Sequence, residues 1–302
     1  MQRILHIFDV SPFIHAGHVN KYSKLEQLVD MGSTWKTQVT PTGGTSFLFN
    51  TLYSVIGKGD IVMCCDRNPT IKKDMLPSYK SNREHKRDKQ VDKGASEYIL
   101  DKCNITTLHR EGYEADDFIY SLVKKFHDQY DHIYIYTGDS DLYFLVDDKV
   151  SIKPSSSTAK EITMENYEEK CIKGGMRYNC LTAYKIVKGD ASDCIPALPR
   201  NLQESFMSIF YREEFYRSLG SKDFIMQWAR SLCPSCIPQI ELVFPLDVDD
   251  LPDDFLQPDK QMIINFGDAM NNKLFRNRAA LDFDVKPYVQ EMQSMGLFIE
   301  ED

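Results

Sequence analysis

The chain has 302 residues, 42% of them hydrophobic and 12% aromatic, and a net charge of −9. This composition excludes a disordered or fibrous protein and supports one large folded domain or two ordinary ones. The absence of an apolar run of about eighteen residues excludes a transmembrane helix, so we predict a soluble, cytoplasmic protein without membrane contact.

Short runs of β-branched and aromatic residues alternate with helical patterns along the first half of the chain. Strands are predicted over residues 4–10, 60–66, 104–109, 132–137 and 150–154. Helices are predicted between them, over residues 45–58, 91–103 and 115–130, where apolar residues recur at helical spacing. This alternation predicts an α/β fold with a mostly parallel, twisted sheet and helices on both faces.

A basic segment, residues 72–93, follows the second predicted strand. It holds eight Lys or Arg and four Asp or Glu, so it carries +4 and leaves −13 for the remainder of the chain. The average charge argues against a nucleic-acid partner, but this local patch offers positive charge for phosphates. Tyr79 beside Lys80 and Arg83 adds the aromatic group that stacks on single strands. A solvated helix face is the alternative explanation.

Helical patterns dominate after residue 160, over residues 164–173, 181–190, 202–233 and 287–295. We therefore predict a first domain of residues 1–175 and a smaller, mainly helical C-terminal domain of residues 176–302. The acidic, proline-punctuated stretch 244–260 is predicted to be an exposed connection.

The eight cysteines show no disulfide spacing and are predicted to be reduced. Cys233 and Cys236 form a single CxxC, for which we favour a packed loop over a structural zinc site.

Nine carboxylates follow predicted strand ends or lie in short acidic clusters: Asp9, Asp66, Glu114, Asp116, Asp117, Asp139, Asp141, Asp190 and Asp193. The carboxyl ends of strands in an open α/β sheet share one crevice, so we expect these acids to converge. Any one of them alone is a common cap or turn residue. Two such charges about 4 Å apart repel by about 4 kcal/mol, so the group needs protons or cations. Oxygen ligands without His or Cys favour Mg²⁺ or Mn²⁺, and so many acids predict two ions acting in phosphodiester hydrolysis.

Six sequence pieces carry a family resemblance, and they occur in that family's order. They are FDV with Asp9, CDRN with Asp66, LPSYKSNR at 76–83, GYEADD at 112–117, TGDSDLYFLV at 137–146 and GDASDCIP at 189–196. Together they resemble the metal-dependent 5′-nucleases, which include flap endonucleases and the 5′→3′ exonuclease domain of bacterial DNA polymerase I. Chain length and the C-terminal sequence are most similar to the ribonuclease H subgroup of T-even bacteriophages. The stretch after the last piece, IPALPRNLQESF, lacks the paired glycines that most relatives carry there.

The resemblance implies a PIN-like 5′-nuclease core in which a basic arch, near residues 72–93, threads or clamps a 5′ single strand. The implied first metal site comprises Asp9, Asp66, Glu114, Asp116 and Asp139, and the second comprises Asp141, Asp190 and Asp193. Asp117 would support either site as the outermost acid of its cluster. The implied catalytic residues are Asp66, Asp139, Lys80 and Arg83. Lys80 and Arg83 would contact the scissile phosphate, and Tyr79 would stack on the unpaired base. The other implied nucleic-acid contacts are Lys72, Lys73, Lys86, Arg87 and Lys89.

The expected activity is Mg²⁺-dependent 5′→3′ hydrolysis of RNA primers in RNA·DNA hybrids, and of 5′ flaps or nicked duplex DNA, during lagging-strand replication. Two Mg²⁺ ions are expected, with Mn²⁺ as a substitute. The resemblance also implies a monomer in a phage-infected bacterial cell, and a C-terminal domain that binds duplex and a phage single-stranded DNA-binding protein. Two alternatives remain open. A PIN-type single-strand endoribonuclease would not need the basic segment or the helical extension, and a non-catalytic nucleic-acid-binding relative should have lost metal ligands.

Overall fold

The computed structural model describes residues 2–19, 24–30, 35–41, 43–83, 96–155, 159–166, 172–173, 176–177, 181–210, 226–227, 229–231, 233–264 and 299–300. Within these ranges, none of the helices combines the length and the apolar character needed to cross a membrane.

Strands and helices alternate along the first half of the described chain. The strands are β1 (Ile4–Asp9), β2 (Lys24–Asp30), β3 (Trp35–Pro41), β4 (Asp60–Cys64), β5 (Thr106–Leu108), β6 (His132–Thr137), β7 (Val150–Pro154), β8 (Ile172–Lys173), β9 (Met176–Arg177) and β10 (Ile299–Glu300). The helices are α1 (Val10–Val19), α2 (Gly43–Val55), α3 (Thr70–Met75), α4 (96–102), α5 (Ala115–Phe126), α6 (Leu181–Lys188), α7 (Arg200–Phe210), α8 (Ile237–Glu241) and α9 (260–264). Two 3₁₀ helices cover Ser140–Leu145 and Pro234–Cys236.

A five-stranded sheet in the order β5-β4-β1-β6-β7 forms the centre of the fold, and its neighbouring strands are all parallel. Side chains of β1 alternate between its faces, as strand geometry requires. Leu5 and Ile7 pack on one face with α5, whereas Phe8 packs on the other with α1 and α2. The predicted α/β class, with helices on both faces, is confirmed.

The predicted strands of the central sheet are all present, although three of them are shorter than predicted. β6 and β7 have the predicted bounds, whereas β4 ends at Cys64 and β5 covers only Thr106–Leu108. α1 and the antiparallel pair of β2 and β3 are present in addition to the predicted elements. The sequences KLEQLVD and WKTQVTP are rich in polar residues, which weakens the strand signal.

The helix predicted over residues 164–173 is wrong, because residues 164–166 form a turn and β8 covers Ile172–Lys173. α6 and α7 confirm helices within two of the other predicted C-terminal ranges. The helix predicted over residues 287–295 lies outside the described residues.

Residues 244–260, which we call the strap, pack partly against the central sheet and α5. Val248 and Phe255 join the hydrophobic cluster beneath α5, and Leu246 is also buried, whereas Phe244 packs in a separate cluster with α6 and α8. The peptide N–H of Leu256 donates to Thr106 Oγ1 at 2.7 Å, which attaches the strap to β5. The prediction that residues 244–260 form an exposed connection is therefore wrong for the apolar residues of the strap. Alternation of apolar residues and Asp lets an irregular backbone bury one side and solvate the other.

Cys233 and Cys236 are joined by a disulfide, with their Cα atoms 5.4 Å apart. The prediction of reduced thiols is therefore wrong for this pair, and a zinc ion held by two thiolates does not fit bonded sulfurs. Cys64, Cys65 and Cys103 are reduced, as predicted, and buried.

His6 on β1 is a buried group that should make stability depend on pH. Burial, followed by the charges of Lys153 and Lys58, lowers its pKa to about 4. The unfolded chain titrates near the ordinary value of about 6.5, so this contribution is complete above that pH and is lost as the pH falls toward 4. We expect the free energy of unfolding to fall by about 3 kcal/mol over this range because of His6.

Urea unfolding at several pH values, with His6→Gln as the matched variant, measures this contribution. The difference in pH dependence between the two proteins isolates His6 from the carboxylates that titrate in the same range. Identical pH profiles for the two proteins would contradict the assignment.

Candidate active site

Three acids lie at the carboxyl edge of the three neighbouring strands β4, β1 and β6. Asp9 is the last residue of β1, Asp66 follows β4 and Asp139 follows β6. Hydrogen bonds fix two of them: Asp9 Oδ2 accepts from Thr137 Oγ1 at 2.8 Å, and Asp66 Oδ1 accepts from the N–H of Ala115 at 2.8 Å. The sheet order therefore brings together acids that are far apart in the sequence.

Asp116, in the first turn of α5, completes this group. Burial, followed by the charges of Asp139 and Asp9, raises the pKa of Asp116 well above its usual range. Burial, followed by the charges of Asp66 and Asp139, does the same for Asp9. We call Asp9, Asp66, Asp116 and Asp139 the inner cluster. Burial and neighbouring like charges thus disfavour the ionised forms of Asp9 and Asp116, so this part of the cluster favours either protons or a cation.

Glu114 has a different environment, because cationic side chains already surround its carboxylate. Oε2 accepts from Lys72 Nζ at 2.8 Å and from Tyr79 Oη at 2.7 Å, and Oε1 accepts from Lys80 Nζ at 2.5 Å. Burial alone would raise the pKa of Glu114, but Lys72 and Lys80 lower it to about 2. Glu114 is therefore ionised and compensated by side chains of its own protein.

Asp117 is the most deeply buried acid of its cluster, with 0% exposure. Its Oδ2 accepts from the N–H of Glu114 at 2.8 Å, and its Oδ1 accepts from the N–H of Leu246 at 2.6 Å. Oδ1 also lies 2.8 Å from Lys72 Nζ. These contacts differ from the outermost, supporting position expected for Asp117.

Lys185 of α6 links a second group of acids. Its ammonium pairs with Asp141 and with Asp190, the latter at 2.5 Å. Burial and then the charge of Asp139 raise the pKa of Asp141 to about 6 despite this lysine. Burial would raise the pKa of Asp190, but hydrogen bonds from Lys185 and Ser192 lower it. Lys185 was not among the predicted site residues, and its position one helical turn before GDASD is the only sequence signal for it.

Asp193 anchors the turn at residues 76–83. Its Oδ1 accepts from Arg83 Nη2 at 2.6 Å, and its carbonyl oxygen accepts from the N–H of Lys80 at 2.9 Å. Lys80 and Cys194 have φ values of 52° and 58°, in the left-handed region. Such a backbone conformation costs energy in a residue other than glycine, and it is often retained at functional sites. The contact holds the two cations of the turn beside the acids.

The structure places the residues of the basic segment in different environments. Lys72 is 3% exposed and Tyr79 is 2% exposed, so neither presents the expected nucleic-acid contact surface here. Lys73 donates to Asn68 Oδ1 at 2.7 Å, and the side chain of Arg83 is 54% exposed. Lys86, Arg87 and Lys89 lie outside the described residues.

The donor set suits a hard divalent cation because it consists of carboxylate oxygens. In their present arrangement, the described residues include no group of three His, Cys, Asp or Glu side chains positioned to hold a metal ion. Ammonium groups separate the acids instead, as Lys80 does for Glu114 and Asp193 and Lys185 does for Asp141 and Asp190. A divalent cation at the inner cluster would compete with protons on Asp9 and Asp116, so the chemistry of these residues fits a metal.

A parallel sheet with acids gathered at its carboxyl edge, beside a turn that carries Lys and Arg, defines an α/β domain of the resolvase-like class. Residues 13–172 match the family described as 5′-3′ exonuclease, N-terminal resolvase-like domain, and the chain belongs to this family.

Two curated relatives illustrate this membership. DNA polymerase I of Caldicellulosiruptor bescii is 36% identical over 166 residues, which cover 51% of this chain and 19% of the polymerase. The 5′-3′ exonuclease of Mycoplasmopsis pulmonis is 30% identical over 165 residues, which cover 52% of this chain and 53% of that protein. The matched region is thus about half of one relative and about a fifth of the other.

Two solved structures share the fold. The D15 protein of bacteriophage T5, co-crystallised with metal ions, is 16% identical with a TM-score of 0.54, covering 97% of this chain and 99% of that chain. The T5 5′-exonuclease with bound zinc is 18% identical with a TM-score of 0.52, covering 80% of this chain and 89% of that chain. At these identities the likeness establishes the fold.

Proposed function

We propose that this protein is a Mg²⁺-dependent nuclease that works from the 5′ end. Its proposed substrates are RNA primers in RNA·DNA hybrids, 5′ flaps and nicked duplex DNA. The observation that carries the proposal is the inner cluster at the carboxyl edge, beside the cations of the turn at residues 76–83. Family membership supports the activity, and a T5 flap endonuclease with this fold was crystallised with DNA and metal ions.

The inner cluster, Asp9, Asp66, Asp116 and Asp139, would hold a first Mg²⁺ ion, for which Mn²⁺ would substitute. Asp141, Asp190 and Asp193 would hold a second Mg²⁺ ion, and Glu114 would be a further carboxylate between the two sites. Bound there, the two ions would supply Lewis acidity and a water of lowered pKa for hydrolysis. Asp117 is excluded from this ligand set, because its oxygens already serve two backbone N–H groups and Lys72.

Lys80 and Arg83 would position the substrate phosphate. Each now pairs with a carboxylate of the site, Lys80 with Glu114 and Arg83 with Asp193. Lys80 and Arg83 would exchange these carboxylates for the substrate phosphate, because ammonium and guanidinium groups form charge-assisted hydrogen bonds with either anion. The partly exposed guanidinium of Arg83 is the first of the two that an approaching strand would meet.

We propose that the protein acts as a monomer in a phage-infected bacterial cell, where it would remove lagging-strand primers. Residues 1–175 would form the catalytic part, and residues 176–302 would contact duplex and a single-stranded DNA-binding protein. Tyr79 would stack on a base only if the turn at residues 76–83 rearranged, since its ring is buried. Lys73, Lys86, Arg87 and Lys89 remain proposed contacts for the strand.

A cleavage assay with Mg²⁺ tests the proposal on three 5′-labelled substrates: an RNA·DNA hybrid, a 5′ flap and a blunt duplex. We expect short labelled products from the hybrid and the flap, little product from the blunt duplex, and none of these products in EDTA. Preferential cleavage inside single-stranded RNA, independent of a 5′ end, would instead support a PIN-type endoribonuclease. Binding without cleavage in Mg²⁺ or Mn²⁺ would contradict the enzymatic proposal.

A further inference from the structure

A buried ion pair connects α3 to the first turn of α5. Lys72 Nζ lies 2.8 Å from Asp117 Oδ1 and 2.8 Å from Glu114 Oε2. The ammonium therefore lies between two carboxylate oxygens, each at hydrogen-bonding distance. Both members of the pair are almost fully buried, which places them in the interior and not on a nucleic-acid surface.

Asp117 joins three separate segments through one carboxylate. Oδ2 accepts from the N–H of Glu114, Oδ1 accepts from the N–H of Leu246 in the strap, and Lys72 of α3 supplies the countercharge. The strap is therefore attached to the beginning of α5 at a residue adjacent to Asp116. A nearby side-chain contact, from the N–H of Val248 to Ser121 Oγ at 2.8 Å, continues this attachment along the same helix.

The beginning of α5 determines where two acids of the inner cluster lie. Asp116 is in this first turn, and Asp66 accepts from the N–H of Ala115 in the same turn. A rotation or shift of the turn would therefore move both acids relative to Asp9 and Asp139. Burying an ion pair costs desolvation free energy that apolar side chains of similar size would avoid, so its presence at this point calls for another role.

We propose that Lys72 and Asp117 are positioning residues that, together with the strap, fix the start of α5 and so keep Asp66 and Asp116 beside Asp9 and Asp139, where these four acids would bind a divalent cation. The inference deepens the proposed function and rests on it for the identity of the ligand. Residues that orient metal ligands without touching the metal commonly change metal affinity or activity by about 10- to 100-fold when they are replaced.

The test compares Asp117→Asn, the double variant Lys72→Met/Asp117→Leu and the conservative Lys72→Arg. Lys124→Met/Asp247→Asn is the matched control, because this exposed pair also joins α5 to the strap, at 2.6 Å, but lies near the other end of the helix. Calorimetric titration with Mn²⁺ alone, without nucleic acid, gives the metal affinity. Steady-state cleavage of a 5′ flap gives kcat and KM separately.

We expect Asp117→Asn and the double variant to bind Mn²⁺ about 10-fold or more weakly and to lose kcat with little change in KM. Lys72→Arg should retain much of the Mn²⁺ affinity because it keeps the positive charge. The control variant Lys124→Met/Asp247→Asn should match the wild type. Wild-type Mn²⁺ affinity and kcat in folded Asp117→Asn would overturn the proposal. If the double variant does not fold, Asp117→Asn alone decides, since it replaces a single oxygen by an NH₂ group.

Amide hydrogen exchange separates this inference from the proposed function. Asn keeps one of the two acceptor oxygens, so in Asp117→Asn we expect the amide of Glu114 or of Leu246, whichever faces the NH₂ group, to lose protection, while amides of β6 stay protected. This result does not depend on nuclease activity. A wild-type protein that neither bound Mn²⁺ nor cleaved would contradict the proposed function, whereas unchanged protection at both amides would contradict the positioning role.

Discussion

Asp66→Asn is expected to lower cleavage of a 5′-labelled flap by at least about 10³-fold while leaving the protein folded. Asp66 belongs to the inner cluster, so removing its charge weakens the attraction of the site for a divalent cation. A bound divalent cation stabilises the transition state of such reactions by several kcal/mol. The fold should tolerate the change because the amide of Asn keeps an oxygen that can accept from the N–H of Ala115.

The same strand offers a matched control for this prediction. Asp60 begins β4, at the opposite end from Asp66, and its Oδ2 accepts from Tyr130 Oη at 2.7 Å. Asp60→Asn should therefore cleave like the wild type. Kinetics in Mg²⁺ and thermal unfolding of both variants provide the comparison. Wild-type turnover by folded Asp66→Asn would refute the assignment of the inner cluster.

Neutralising the two cations of the turn at residues 76–83 should produce two different defects. The side chain of Lys80 is 11% exposed and contacts Glu114, whereas that of Arg83 is 54% exposed. We therefore expect Lys80→Gln to lower kcat by about 10²- to 10³-fold, as loss of a preorganised donor to the reacting group does. Arg83→Gln should mainly weaken substrate binding, because its guanidinium meets the strand from the surface.

Salt dependence distinguishes these two roles. Loss of one phosphate contact reduces the slope of log Kd against log salt by about 0.7 to 0.9, and this change is expected for Arg83→Gln. Single-turnover cleavage and binding in EDTA, each measured over a range of salt concentrations, report the two quantities. Lys149→Gln, which lies just before β7 at the amino edge of the sheet and near Asp128, is the control. Equal binding and turnover in all three variants would mean that the basic turn is only a solvated surface.

The structure reduces the repulsion among the nine acids in two ways, by protonation and by pairing with lysine ammonium groups. Burial and like charges favour protons on Asp9 and Asp116, whereas Lys72, Lys80 and Lys185 neutralise other acids. The lysines were visible in the sequence, but nothing there paired them with particular acids. Lys72 and Glu114 are 42 positions apart, and Lys185 and Asp141 are 44 apart.

Local patterns predicted those parts of the fold that depend on local physics. Alternating strands and helices predicted the parallel sheet, because buried parallel strands are nearly continuous apolar runs and the helices between them have an amphipathic period. The polar sequences of β2 and β3 carry no such signal. The strap was misjudged for a related reason, since its prolines and Asp residues resemble a solvated loop even though alternate side chains enter the core.

By itself, the sequence determined the α/β class, the family and the acids Asp9, Asp66 and Asp139 at the ends of their strands, because each follows from residue patterns read in chain order. Only the tertiary structure divided the nine acids into the inner cluster, the pair bridged by Lys185 and the carboxylates held by Lys72 and Lys80. Only the structure showed that Asp117 binds backbone N–H groups of two segments. The physical reason is that hydrogen bonds and ion pairs depend on distances of about 3 Å, which the packing of distant segments decides.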